Sequence, residues 1–413
     1  MLLARTAYAD EPNAPENAVT EKVTFVDAVK RAIAHNPDRL VALHEIERVQ
    51  GLLMQATAAL LPQVGVSAIY TRLEGDRFVM DRRSQAANSL HADVNVDTPL
   101  IDLHAFAERK RAHDRVEVTA AEAESTKRDV AIATARAYFA AFSAAKYLDI
   151  TKHARDSAKA YADAAGERRH GGVGTELDLK RAQAQLAVDE AQVASAITAK
   201  LRAEEALGVI IGSERPVAAN GEPDLADSTS NDISKRADVI ASRMDREAAS
   251  ESRHLDWMNW APTLHLTGEG FYQAPQIDPM PRWGYEIDVT LDFRIYDGGL
   301  RSGLHHQHRA EEDEAKDREV GVDRQATSEV RTARAAVDST KVARDASRKA
   351  AELGAGVLEL ATLGYTAGTA TSLDVVDAEK AALDADSQAL IAEDDYRQAQ
   401  LDLLAATGVF PGP

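Results

Sequence analysis

The stretch LGYTAGTATSLDVVDAEKAAL, Leu363–Leu383, sets small residues before two aspartates, Asp374 and Asp377, at the start of an alanine-rich run. Its echo is RHGGVGTELDLKRAQAQL, Arg169–Leu186. Gly172/Gly368, Thr175/Thr371, Leu177/Leu373, Asp178/Asp374 and Ala182/Ala378 are each 196 residues apart, and Leu207/Leu403 and Gly212/Gly408 keep the same offset. One offset held over 40 residues marks a tandem duplication. Upstream, Asp38/Asp238 and Pro62/Pro262 match at an offset of 200. The halves are expected at residues 10–212 and 233–408, with a Pro-, Gly- and Ser-rich linker at 213–232 and a tail at 409–413.

Proline placement then predicts the elements. None of the 13 prolines falls between Pro99 and Pro216 or between Pro281 and Pro411. Proline costs about 3 kcal/mol inside a helix, so two very long helical regions are permitted. Asp102 to Gly171 alone is about 70 residues, roughly 100 Å as continuous helix. Each glycine-bearing break, near 171–174 and 367–370, then reads as the tip of a helical hairpin. Past the tips a heptad seam appears. Leu179, Leu186, Val193 and Leu207 share one register with Lys200 as its exception, and Ala182, Ala196, Ala203 and Ile210 share the next with Asp189 as its exception. In the second half Ala378, Ala385, Ala392, Ala399 and Ala406 recur every seven residues, which lets helices approach closely.

Each half also carries a short β region, about 62–101 and about 262–296. In SLHADVNVDTPL the apolar Leu90, Ala92, Val94 and Val96 alternate with His91, Asp93, Asn95 and Asp97. In YEIDVTLDFRI the residues Tyr285, Ile287, Val289, Leu291 and Phe293 alternate with polar ones. Period two predicts strands, with antiparallel partners around Val64–Thr71 and Leu264–Tyr272. That gives four strands per chain. Their charged polar face suits a wet lumen, and Trp257, Trp260, Tyr70, Tyr272, Trp283 and Tyr285 near their ends suit interfacial girdles. Four strands cannot close a barrel, since even a filled one takes about eight, so the barrel reading requires oligomerisation. The rival reading is a periplasmic or soluble coiled-coil structural protein whose strands form an ordinary sheet.

Composition excludes several classes. With 48 Lys+Arg against 67 Asp+Glu, the formal charge of −19 repels phosphate backbones and argues against nucleic acid. The absence of cysteine excludes disulfides, thiol catalysis and cysteine metal ligands. No apolar run reaches the roughly 18 residues of a transmembrane helix. The opening MLLARTAYADEP has a small-x-small site at Ala7-Tyr8-Ala9, which reads as the remnant of an export signal over residues 1–9. No phosphate loop, nucleophile elbow, HExxH motif or recognisable triad occurs, so neither an enzyme nor a cofactor is expected. In GLHHQH, His305 and His308 share a helical face that a transition metal suits, although a solvated face is the preferred reading.

Several motifs taken together resemble the TolC family of bacterial outer-membrane efflux proteins. VTFVDAVKRAIAHNPDRLVALHEIERVQGLLMQATAALLPQV, from Val23, is similar to that family's opening helices; TPLIDL and FRIYDGG resemble its strand-to-helix joints, and the two glycine breaks its periplasmic hairpin tips. The likeness spans Val23 to Gly408. It implies a mainly α fold with a membrane β region: a trimer whose twelve strands close one barrel in the outer membrane and whose helices form a tunnel through the periplasm. It also implies a duct for multidrug efflux or type I secretion. Its partners are then a periplasmic adaptor (membrane fusion) protein, an inner-membrane RND or ABC transporter, and outer-membrane lipid.

The same resemblance gives roles to the opening residues. Asp374 and Asp377 match two acids that ring the tunnel entrance, close it and attract cations. Asp178 and Tyr365 match members of a latch that ties neighbouring helices, but Ala370 stands where the family places an arginine. Gly172-Val173-Gly174 and Gly368-Thr369-Ala370 match the loops that meet the adaptor. The residues themselves leave Asp374 open between a gate and a helix cap, because Thr371 and Ser372 are good N-caps and an acid in the first turn meets the helix dipole favourably. At the position of Asp377 the first half has Arg181, so the expected gate belongs to the second tip.

Overall fold

The computed structural model describes residues 21–80, 82–223, 225, 232–276 and 280–409. The expected export-signal remnant at 1–9 and most of the tail lie outside the described residues. Two compact units emerge, one from Met1–Leu40, Lys127–Asp232 and Ser328–Pro413, the other from Val41–Thr126 and Ile233–Thr327. Each draws on both halves of the sequence.

The second unit contains a four-stranded antiparallel sheet in the order β2-β5-β7-β8, with β2 at Gln63–Arg72, β5 at Asn88–Ile101, β7 at Thr263–Ala274 and β8 at Trp283–Asp292. Its register sorts side chains by face. Val66 pairs with Val94, Val94 with Gly270, and Gly270 with Tyr285, so one face is apolar across all four strands. On the opposite face Ser67 hydrogen-bonds Asp93, and Asp97 takes a bond from Thr267 and an ion pair from His265. The apolar face is not covered by the chain: Val66 is 77%, Ile287 66% and Leu291 66% exposed. Strand β8 stops at Asp292, short of the alternation that continues to Ile295. Between β2 and β5 lies a small hairpin of β3 (Arg77–Val79) and β4 (Arg82–Gln85), which the sequence reading did not include.

Around the sheet's polypeptide run the helices α2 (Pro37–Ala58) and α5 (Ala237–His254), followed by a 3-10 turn, Leu255–Trp260. The long helices α3 (Leu103–His170) and α6 (Leu300–Ala367) have 68 residues each and contribute to both units. Their partners α4 (Glu176–Ile210) and α7 (Ser372–Ala406) have 35 each. No helix among the described residues is long and apolar enough to cross a membrane.

The first unit is held by α1 (Phe25–His35), whose Phe25 ring meets Tyr138 edge-on at 5.5 Å and stacks on Phe139 at 5.9 Å. Strand β1 (Glu21–Val23) pairs in parallel with β6 (Val217–Ala219) beside this core. This corrects the reading of 213–232 as linker. Val217 is fully buried, and the Tyr138 hydroxyl donates to the carbonyls of Asn220 and Gly221, so the segment is part of the fold. The rest of that span is only partly described. Of the five heptad alanines on α7, Ala378, Ala392, Ala399 and Ala406 are buried.

Candidate gate at the two hairpin tips

The two tips are built alike because the same backbone problem is solved twice. Helix α3 ends with Gly172 at φ +77°, the Val173 amide donating to the Arg168 carbonyl at 3.0 Å. Helix α6 ends with Gly368 at φ +81°, the Thr369 amide donating to the Gly364 carbonyl at 2.8 Å. A left-handed residue after the last turn satisfies the orphan carbonyls, and glycine takes that conformation without Cβ strain. Between caps the tips differ by an exchange of bulk. A Cβ added to Gly174 would lie 3.0 Å from the Arg169 amide nitrogen and 3.1 Å from Arg168. At the second tip the loop residue is Ala370, and the space is yielded by Gly364, the counterpart of Arg168 at the 196 offset.

Both following helices start with a reciprocal cap. The Thr175 hydroxyl donates to Asp178 Oδ2 at 2.7 Å while the Asp178 amide donates to Thr175 Oγ1 at 3.1 Å. At the second tip the Thr371 amide and hydroxyl each donate to Asp374 Oδ2 at 2.7 Å, and the Asp374 amide returns a bond to Thr371 Oγ1 at 3.3 Å. Asp178 is held below the ordinary carboxylate value chiefly by the Thr175 hydroxyl, with Ser372 and Arg181 adding to this against the opposing effect of burial. Asp374 is held low by the amide and hydroxyl of Thr371. Both acids are therefore ionised caps at neutral pH. Asp377, one turn deeper, is exposed, and its side chain makes no hydrogen bond or ion pair among the described residues.

Tyr365 is buried and sits in a small core between the helices. Its ring meets Tyr161 of α3 edge-on at 5.2 Å, and the Tyr161 hydroxyl donates to Ser372 Oγ at 2.8 Å. The Arg168 guanidinium lies 4.6 Å over the Tyr365 ring, and its Nη1 donates to the Tyr365 carbonyl at 2.7 Å. Ala370 leaves no arginine in the second loop, yet an arginine does clasp Tyr365, supplied by α3. Arg168 and Tyr161 were not singled out from the sequence, and Ser372 only as a candidate N-cap, a place that Thr371 takes. The offset of 196 carries a signal for Arg168, which faces a glycine in the repeat just where Gly174 faces an alanine. Val173, Leu177 and Leu373 remain exposed around the tips.

The histidine pair resolves differently from either reading. His305 Nδ1 lies 2.9 Å from Asp256 Oδ2 and His308 Nδ1 2.5 Å from Asp256 Oδ1, with Arg111 on the same carboxylate at 3.3 Å. His308 is buried while His305 stays half-exposed, so only part of this face is solvated, and both Nδ1 atoms are already committed. The one cluster with metal-ligand spacing among the described residues is His113, Asp114 and Glu117, where the Lys110 ammonium lies 2.5 Å from Asp114. A resident cation of the chain's own already neutralises that carboxylate.

The family model described as outer membrane efflux protein matches residues 28–213 and 230–409. Outer membrane protein TolC of Salmonella enteritidis is 21% identical over 418 residues, covering 95% of this chain and 83% of its own length. Among solved structures, VceC of Vibrio cholerae aligns with a TM-score of 0.78 at 19% identity, covering 94% of this chain and 97% of VceC. The CmeC channel of Campylobacter jejuni gives 0.79 at 19% identity, covering 93% of this chain and 85% of CmeC. These structural likenesses speak to the fold. With both halves of the sequence matched by the family model, the chain belongs to the outer membrane efflux protein family.

Proposed function

We propose that the chain is one third of a passive exit duct in the bacterial outer membrane, extending into the periplasm. Each copy supplies four strands to a shared twelve-stranded barrel and its long helices to a tunnel. The observation that carries this reading is the sheet: one face apolar on every strand and open, the other polar, with β2 and β8 unpaired at its edges among the described residues. An open apolar face of this kind is at home against lipid, and unpaired edges are satisfied by closure with further copies. Strands of 10 to 14 residues also match the roughly 9–11 needed to cross a bilayer at a tilt.

In this duct the tips form the periplasmic entrance. Asp374 and Asp377 from three copies place six carboxylates around the axis, and their summed field attracts cations and resists free passage while the entrance is closed. Asp178 and Tyr365, with Arg168, hold the helices behind it. The loops Gly172-Val173-Gly174 and Gly368-Thr369-Ala370, beside exposed Leu177 and Leu373, meet a periplasmic adaptor that couples the duct to an inner-membrane RND or ABC pump. The duct performs no reaction of its own.

The test is reconstitution. In detergent the protein is expected to run as a trimer and in planar bilayers to form a cation-preferring channel blocked by divalent ions. Asp374→Asn with Asp377→Asn should weaken that block and raise conductance. A monodisperse species in plain buffer without detergent would refute the barrel, and unchanged block in the double variant would remove these aspartates from the gate.

A further inference from the structure

Behind the tips the heptad pattern of α4 is interrupted by Asp189, and the structure buries that residue to 1% exposure. Glu379 of α7 is buried to 3%. Asp189 takes a single bond, from Gln185 at 2.9 Å on its own helix, while its Oδ2 and both carboxylate oxygens of Glu379 have no protein donor. These oxygens are shut off from solvent within the chain. Asp189 repels Glu379. The hydrophobic cluster around Leu186 and Val375 is built of neutral groups, among them Tyr161 of α3, pushed up to about 12 by burial, and Tyr365 and Ala361 of α6. Lys380 beside Glu379 on α7 is exposed.

A buried polar group left without its partner costs about 1–3 kcal/mol, more when charged, and like charges add to that cost. Burial first, and Asp189 second, push Glu379 up to about 7, so the group is often neutral near that pH, but its oxygens stay unsatisfied. The duplication shows that the hairpins do not require these acids. At the 196 offset Glu379 answers to Gln183, and Asp189 answers to Ala385. Each acid is peculiar to one half, and the fold brings the two together across α4 and α7.

We propose that Asp189 and Glu379 form a built-in weak point that keeps α4 and α7 loosely joined just behind the tips, so that the second hairpin parts readily from the first when the entrance is engaged. The idea deepens the duct reading, but only its functional consequence rests on that reading. Local opening is drawn from the parts of a fold with the lowest local stability, and an uncompensated carboxyl pair lowers stability at one place.

The measurement is amide hydrogen exchange in the first three turns of α7, Val375–Leu383, on the trimer in detergent at neutral pH. Glu379→Gln and, separately, Asp189→Asn keep the shape of each side chain and remove the repulsion. Exchange should slow about tenfold in each, the equivalent of about 1.4 kcal/mol at 25 °C, with amides far along α7 unchanged. Unchanged or faster exchange in both variants would overturn the proposal. If one variant fails to assemble, the other decides. In bilayers the same variants should open less often than the parent. A parent that forms no channel would refute the duct, and the exchange result would still judge the weak point.

Discussion

At the scale of the residue, substitution separates the cap that Asp374 forms from the gate proposed for it. Asp374 caps α7 and keeps its negative charge, so neutralising it disturbs both. Thr371→Ala removes the cap's hydroxyl and leaves the charge. It should cost about 1 kcal/mol of local stability, seen as faster exchange at the Asp374 amide, while divalent block persists. The caps also set an acid limit. Asp178 and Asp374 titrate below their ordinary value in the fold, so their stabilisation is complete above the unfolded carboxylate pKa, near 3.9, and is lost as pH falls through the lowered folded values. Thermal scans of the tips should therefore soften in acid, below about pH 4. Arg168 is the residue that holds Tyr365. Arg168→Lys keeps the charge but loses the planar contact over the ring and the directed bond to the carbonyl, so it should raise channel opening nearly as much as Arg168→Ala. A lysine variant indistinguishable from the parent would reduce Arg168 to a point charge.

At the scale of the element, length and alanine go together. Helices α4 and α7 bury small side chains at heptad spacing, each adding little area, and stability accumulates along 35 residues rather than at a central plug. Ala399, 5% exposed, has no room for bulk. Ala399→Leu should destabilise by about 1–3 kcal/mol through overpacking, whereas Leu401→Ala, at a fully buried position, should cost about 2–5 kcal/mol through loss of burial. Thermal unfolding checks both. Long helices, tips and four-strand pattern were legible in the sequence because each is written in local spacing: absent prolines, paired glycines, period two and period seven. The pairing of β1 with β6 was not, since Val217 sits in a stretch whose composition says linker and its partner is almost 200 residues away. The β3–β4 hairpin was missed for another reason, its strands of three and four residues being too short to show alternation.

For the whole molecule, the decisive property is that the sheet has two unlike faces and the chain leaves the apolar one open. Ile287 lies near the middle of β8 on the apolar face, with Glu286 beside it on the other. An arginine on a lipid face costs about 2–4 kcal/mol at the bilayer midplane, whereas a lumen-facing change alters selectivity. Ile287→Arg should therefore sharply reduce the protein recovered from the outer membrane, and Glu286→Arg should leave recovery intact while lowering the cation preference proposed above. Equal recovery of both would argue for an ordinary sheet.

The sequence by itself determined the duplication, the long helices, the four alternating strands and the positions of both tips, because these depend on periodicity and on which residues tolerate special backbone angles. It also left Asp374 open between a cap and a gate. Only the tertiary structure decided that Arg168 reaches Tyr365, that Asp256 gathers His305 and His308, and that Asp189 Oδ2 and both Glu379 carboxylate oxygens are shut in without a protein donor. Those outcomes depend on which faces of separate helices meet. A helix of several turns can present any of its faces, and local spacing carries no record of its neighbour.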